Sequence, residues 1–312
     1  NLSGEEVAII TSDGKEYLWE SKSLKRVGKV DMAVLTFTSK KSYKIATIGN
    51  VRSLSSGKTI FVSGFPLPTS SVPVSIWRFL KGNIIANAYV PIPDGYQLLY
   101  SNPTLPGMSG GSVLNSKGEL VGIHGRAEIN NQASNEQQKL ITSGTNQAVP
   151  ITYYQQLVSG ENIVPATTKA TTADDYLAKA KALLGEKGKE YEVIKLTNKA
   201  LNFKEIASAY FYRAYAKYDL KDYKGSIEDY TNVIELEPED YVAYYNLGVA
   251  KHDLKDYKGA IDVYTKAIKL NSEYVDAYNN RGIAKHDLKD YKGAIEDFNI
   301  VVEIDPEYTY AY

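Results

Sequence analysis

The stretch Leu220-Lys221-Asp222-Tyr223-Lys224-Gly225 returns as Leu254-Lys255-Asp256-Tyr257-Lys258-Gly259 and again as Leu288-Lys289-Asp290-Tyr291-Lys292-Gly293. Tyr223, Tyr257 and Tyr291 therefore stand 34 residues apart. A period of that length is one helix-turn-helix unit, which cannot bury its apolar face alone and must stack on its neighbours. Small residues fall where two helices have to approach: Gly248 with Ala260, Gly282 with Ala294, and Ala214 with Ser226. Bulky ones fill the space beside them, namely Tyr244, Leu247 and Tyr264, Tyr278 and Phe298, and Tyr210 and Tyr230. Pro238 and Pro306 are placed to stop the second helix of a unit.

From about Ile206 onward these units resemble the tetratricopeptide (TPR) family, which implies an all-α solenoid with a concave face for a protein partner. Lys217, Lys251 and Lys285 stand where that family commonly has an aromatic, and Arg213 and Arg281 replace Leu. Asp174 to Lys204 looks like a degenerate first unit. The register places Tyr312 inside the first helix of a further one, so a truncated last unit is expected. The groove positions, spaced i, i+4, i+7 along one helical face, are Phe211, Tyr215 and Tyr218; Tyr245, Val249 and His252; and Asn279, Ile283 and His286. Of these, Phe211, Tyr215, Tyr245, Val249, Asn279 and Ile283 are the expected partner contacts. An aromatic groove suits an extended or helical segment, because Tyr combines large contact area with a hydrogen-bonding tip. It does not suit the chaperone C-termini that a clamp of Lys, Asn and Arg would hold. Packing of the tyrosines between helices is the other reading of the same pattern.

The first half has a different period. From Asn1 to about Gly160, short alternating or fully apolar runs occur at Val7–Thr11, Val30–Thr38, Ile60–Ser63, Ile76–Asn87, Gln97–Ser101 and Leu120–Ala127. Turn sequences such as Ser12-Asp13-Gly14, Pro93-Asp94-Gly95 and Ser116-Lys117-Gly118 separate them. Many short strands without long intervening helices predict an all-β sandwich or barrel. Ile151 to Val158 is expected to close it as a short helix. Residues 161–173, rich in Thr and Ala with one Pro, read as a linker between a domain over 1–160 and the repeats over 174–312.

Within the β half, Thr104-Leu105-Pro106-Gly107-Met108-Ser109-Gly110-Gly111 puts a hydroxyl between glycines. Backbone amides there can face a substrate carbonyl with no side chain in the way. Alone, the pattern is also that of a Gly-rich turn. Asp31 stands at the mouth of the apolar run Val30 to Leu35, where an acid either closes a strand edge or orients an imidazole. After the serine, Ser112-Val113-Leu114, the turn at Ser116-Lys117-Gly118 and Leu120 to Gly125 form a hairpin able to line a substrate cleft. An α/β-hydrolase elbow would need a helix after the serine, and a β-like run follows instead.

Taken together, the order and spacing over about Val7 to Val158 resemble a chymotrypsin-like (trypsin-like) serine peptidase. The resemblance implies a double β-barrel, lacking its first part here. It also implies Ser109 as nucleophile, Asp31 as the acid that orients the base, and the amides of Gly107 and Ser109 as oxyanion hole. His124, His252 and His286, the three histidines, all follow the serine. In this family the base precedes the acid, so it is expected ahead of Asn1, and this fragment alone is expected to be nearly inert. Thr104 and His124 stand where the glutamyl endopeptidase branch holds an acidic P1 side chain, so cleavage after Glu, and less often after Gln or Asp, is the expectation. The other reading makes His124 a core histidine.

With 36 Lys and Arg against 37 Asp and Glu, the net charge of -1 supplies no field to hold nucleic acid. The absence of Cys removes disulfides, zinc-thiolate sites and thiol nucleophiles. No apolar run reaches the roughly 18 residues of a membrane span, and no cofactor or metal motif is evident. The expectation is a cofactor-independent serine endopeptidase with a repeat domain that recruits a partner or substrate. A non-catalytic, peptide-binding scaffold is the alternative.

Overall fold

The computed structural model describes residues 8–10, 16–18, 25–26, 30, 32–34, 38–66, 76–88, 95–102, 104, 108–126, 146–159 and 172–306. They fall into two compact units, the first all-β up to a closing helix and the second helical.

In the first unit β1 (Ala8–Ile10) pairs with β2 (Glu16–Leu18), and β3 (Lys25–Arg26) with β4 (Ala33–Val34), both antiparallel. Six further strands close into an antiparallel barrel: β5 (Thr59–Gly64), β6 (Arg78–Asn87), β7 (Leu98–Tyr100), β8 (Ser112–Asn115), β9 (Leu120–Arg126) and β10 (Asn146–Pro150), in the order β10-β7-β6-β5-β8-β9. The period of two explains it. Ile60 and Val62 point inward from β5 while Thr59 and Phe61 face outward, half-buried. Ile60, Val62, Ile84, Leu98, Tyr100, Met108, Val113 and Val121 meet in one core. Each fully buried Val, Leu or Ile contributes about 1.5–3 kcal/mol. Helix α1 (Thr152–Ser159) follows β10, close to the expected position. β2, β3 and β10 are strands that the apolar runs do not signal. β10 opens on the polar pair Asn146-Gln147 and ends on Pro150, and it is held as a strand by β7 and β9 on either side.

The second unit runs through α2 (Ala173–Leu183), α3 (Glu190–Leu201), α4 (Ala207–Asp219), α5 (Tyr223–Leu236), α6 (Tyr241–Asp253), α7 (Tyr257–Leu270), α8 (Val275–Asp287) and α9 (Tyr291–Ile304). Among the described residues no helix is long and apolar enough to cross a membrane. The repeated hexapeptide is the turn between the two helices of a unit. Asp222, Asp256 and Asp290 are N-caps, each accepting from the amide of the glycine three residues on at 3.0 Å. A Cβ on Gly259 would lie 2.2 Å from the Asp256 carboxylate, so a larger residue there would push the capping side chain aside. Lys221, Lys255 and Lys289 take the left-handed conformation, with φ of 61°, 64° and 65°. Small residues recur for the expected reason: a Cβ on Gly248 would meet the Tyr264 ring at 2.4 Å and one on Gly282 the Phe298 ring at 2.7 Å.

The departures from the family pattern have a shared cause. Asp229, 1% exposed, is held by the Arg213 guanidinium through two bonds of 2.8 and 2.6 Å and by Lys217 at 2.8 Å. Arg281 and Lys285 hold the buried Asp297 in the same way, at 2.9, 2.6 and 2.8 Å. The middle unit has Leu247 and Val263 at the corresponding positions, and Lys251 turns to Asp256 at 3.1 Å. Neighbouring units are tied by Tyr218 donating to Asp253, His252 Nε2 to Asp287 at 2.8 Å, and Asn280 Nδ2 to the Tyr245 hydroxyl at 2.9 Å.

This packing corrects the groove expectation. Phe211, Tyr215, Tyr245, Val249 and Asn279 are buried and Ile283 is half-buried, so the first five offer a partner almost no surface. Phe211 stands edge-on to Tyr230 with ring centres 5.3 Å apart, and Tyr245 lies 5.2 Å from Tyr274. The aromatic residues fill the space between helices.

Candidate functional site around Ser109

Ser109 lies in the turn that leads into β8. Met108, 1% exposed, plugs the barrel core and fixes the turn from below, which leaves the next residue, Ser109, exposed. Gly110 has φ 89°, a conformation that a side chain would strain. Its amide donates to the His124 carbonyl at 2.6 Å. The Gly111 amide donates to the Met108 carbonyl at 3.0 Å, and the His124 amide to the Gly111 carbonyl at 2.8 Å. A Cβ on Gly111 would sit 2.0 Å from the Ser63 carbonyl oxygen, so that position also requires glycine. The Ser109 amide donates to nothing among the described residues, as an oxyanion donor must before substrate arrives.

The Ser109 hydroxyl donates to the Gly125 carbonyl at 2.9 Å, and no imidazole faces it among the described residues. His124 is turned away, its Nδ1 lying 2.6 Å from the Tyr100 hydroxyl. His252 and His286 belong to the helical unit. Asp31 and Gly107, the expected orienting acid and second oxyanion amide, lie outside the described residues.

Thr104 and His124 flank β10. Thr104 is half-buried, and its hydroxyl donates to Asn146 Oδ1 at 2.6 Å. Asn146 Nδ2 in turn donates to the Asn102 carbonyl, which also accepts from the Thr104 amide at 2.8 Å. Asn102 has room because Gly82 faces it: a Cβ there would lie 2.3 Å from its side-chain oxygen. His124 is 1% exposed, and burial pushes its imidazole from 6.5 down to about 4, so the ring is neutral at pH 7. Its Nε2 is buried without a hydrogen-bond partner. Burial also raises the Tyr100 phenol well above its ordinary value, with Tyr96 adding to the effect.

Tyr100 and Asn146 are the residues that sequence reasoning misses here. Their place beside His124 and Thr104 follows from barrel register, which sets Asn146 opposite Tyr100 and Ala148 opposite both Leu98 and His124. The only sequence signal was the apolar run Gln97–Ser101, which carries Tyr100.

The family comparisons agree with this architecture. Residues 2–123 match the trypsin-like peptidase domain, residues 214–255 and 250–289 match a TPR repeat model, and residues 275–308 match a tetratricopeptide repeat model. The chain thus matches a trypsin-like peptidase domain in its first part and TPR repeats in its last. No curated protein matches the chain. Among solved structures it is similar to MamA, at 20% identity over 50% of this chain and 87% of that one, with a TM-score of 0.42. It is similar to the Arabidopsis OM64 TPR domain at 28% identity over 34% and 87%, with a TM-score of 0.33. The third is YrrB, described as a TPR protein with an unusual peptide-binding site, at 16% identity over 52% and 79%, with a TM-score of 0.43.

Proposed function

We propose that the protein is a serine endopeptidase whose nucleophile is Ser109 and whose TPR repeats bring it to a protein partner or substrate. The observation that carries this is the exposed Ser109 on a glycine-shaped turn, its amide unengaged among the described residues, within the stretch that matches a trypsin-like peptidase domain. In the reaction the Ser109 oxygen attacks the peptide carbonyl carbon while an imidazole takes its proton. The carbon–nitrogen bond breaks and the amine leaves with that proton. Water, deprotonated by the same imidazole, then releases the acid product and restores Ser109. Asp31 orients the imidazole, the amides of Gly107 and Ser109 hold the oxyanion, and Thr104 and His124 receive the P1 side chain. Among the described residues no imidazole faces the Ser109 hydroxyl.

Replacing Ser109 by Ala in the full-length protein lowers peptide hydrolysis by about a millionfold, since triad members act as a unit. Hydrolysis that persists in Ser109→Ala would remove Ser109 from the chemistry. One observation favours the second reading, a non-catalytic peptide-binding scaffold: the Ser109 hydroxyl is engaged by Gly125 and not by an imidazole.

A further inference from the structure

The outer face of the barrel carries a row of exposed aromatic rings. The inward side chains are Ile60 and Val62 on β5 and Leu80 and Ile84 on β6, so Phe61 and Phe79 point away from the core. The register sets Phe79 opposite Ser63 and Lys81 opposite Phe61. Phe61 and Phe79 stack with ring centres 4.9 Å apart, and Trp77 stacks on Phe79 at 5.5 Å. Trp77 is 52% exposed and Phe79 46%; Phe65 and Ile76, at the same end of the two strands, are 59% and 50% exposed. A single apolar side chain left in water is ordinary, whereas four large ones on one face mark a place of interaction.

Charge says what covers that face. Arg78 stands between Trp77 and Phe79 in the chain and Lys81 lies across from Phe61; both are exposed and neither forms an ion pair among the described residues. The next strand, β8, adds no charged residue. From residue 32 to residue 93 the chain holds seven Lys and Arg and no Asp or Glu. At the chain's average of 37 acids in 312 residues, a stretch of that length would hold about seven. The net charge of -1 thus conceals a cationic stretch, and with a screening length of about 8 Å the local charges outweigh the total.

The cations decide between occupants. A second copy docked face to face brings Arg78 and Lys81 up to the same residues of its mate, like charge against like charge. The core of a protein interface is depleted of charge, of Lys above all, and here Lys81 sits beside the rings. An anionic bilayer accepts both kinds of residue. The rings enter the headgroup region, where Trp is favoured, and the Arg and Lys stems lie along them and reach the lipid phosphates and carboxylates. We infer that Phe61, Phe65, Ile76, Trp77 and Phe79, with Arg78 and Lys81, form a surface that docks the protein on an anionic lipid membrane from one side. The inference does not rest on the peptidase reading, because it requires nothing of Ser109.

The test sediments full-length protein with vesicles of phosphatidylcholine, alone or with about 30% phosphatidylserine. Half-binding should need at least about tenfold less lipid when phosphatidylserine is present, and salt at about 0.5 M should close that margin. Arg78→Gln with Lys81→Gln should raise the half-binding concentration by about thirtyfold, at about fivefold per cation. Trp77→Gln with Phe79→Ser should raise it at least about tenfold. All four side chains are exposed, so both double variants should unfold at the parent's temperature. Brominated acyl chains should quench tryptophan emission in the bound parent, and the milder Trp77→Phe should keep the binding and lose that quenching. Binding indifferent to phosphatidylserine, binding unchanged in either double variant, or quenching undiminished in Trp77→Phe would each overturn the inference. So would a protein that ignores the vesicles and is held through the same residues by polyglutamate, which would give the face to an acidic protein.

Discussion

A buried imidazole with no counter-charge refuses its proton, and His124 does so from 6.5 down to about 4. The unfolded chain binds that proton near 6.5 and the folded one only near 4. The stabilisation from keeping the ring neutral is thus complete above pH 6.5 and is lost as pH falls through that window. The loss amounts to roughly 3 kcal/mol. In urea unfolding followed between pH 7 and 4, the barrel of the parent should weaken by about that amount, and His124→Gln should flatten the dependence. Equal slopes in the two proteins would mean that His124 is solvated. The Gly-rich turn that exposes Ser109 is legible in the sequence because glycines bracket the serine. The hydrogen bonds that hold Thr104 and His124 are not legible, since their partners Asn146 and Tyr100 reach them only through the pairing of β10 with β7 and β9.

Among elements, the helical repeats carry their own control experiment, because one unit replaces with apolar residues what its neighbours build from charge. Asp229→Val leaves Arg213 and Lys217 with no acid between them and should cost about 3–5 kcal/mol. Adding Arg213→Leu should restore most of that loss, as the middle unit with Leu247 and Val263 already shows the apolar version to be compatible with the fold. Thermal denaturation of single and double variants decides it; a double variant as unstable as the single one would contradict the account. A smaller test concerns Tyr230, whose buried hydroxyl has no partner among the described residues, while the third unit has Phe298 in its place. Tyr230→Phe should raise stability by about 1 kcal/mol. These helices are legible from the sequence to within a few residues, since each hexapeptide marks a cap and a turn. What periodicity cannot separate is a groove-lining aromatic residue from one packed between helices, and Phe211, Tyr245 and Val249 are of the second kind.

Over the whole molecule, a closed barrel that positions a serine is joined to a repeat array whose fold matches modules built for protein contact. The class of both halves is legible from the period of two and the period of 34 residues. The barrel's closure is less so, because β10 is polar at one end and capped by proline at the other, and only its two neighbours make it a strand. The account depends on Ser109 being a nucleophile that a base elsewhere in the protein activates. Treating the full-length protein at neutral pH with a serine-directed phosphonate, and mapping the adduct by peptide mass, measures this directly. The account predicts one adduct per chain, on Ser109, abolished by Ser109→Ala. An unmodified Ser109 in folded, full-length protein would contradict it and leave the barrel as a binding module.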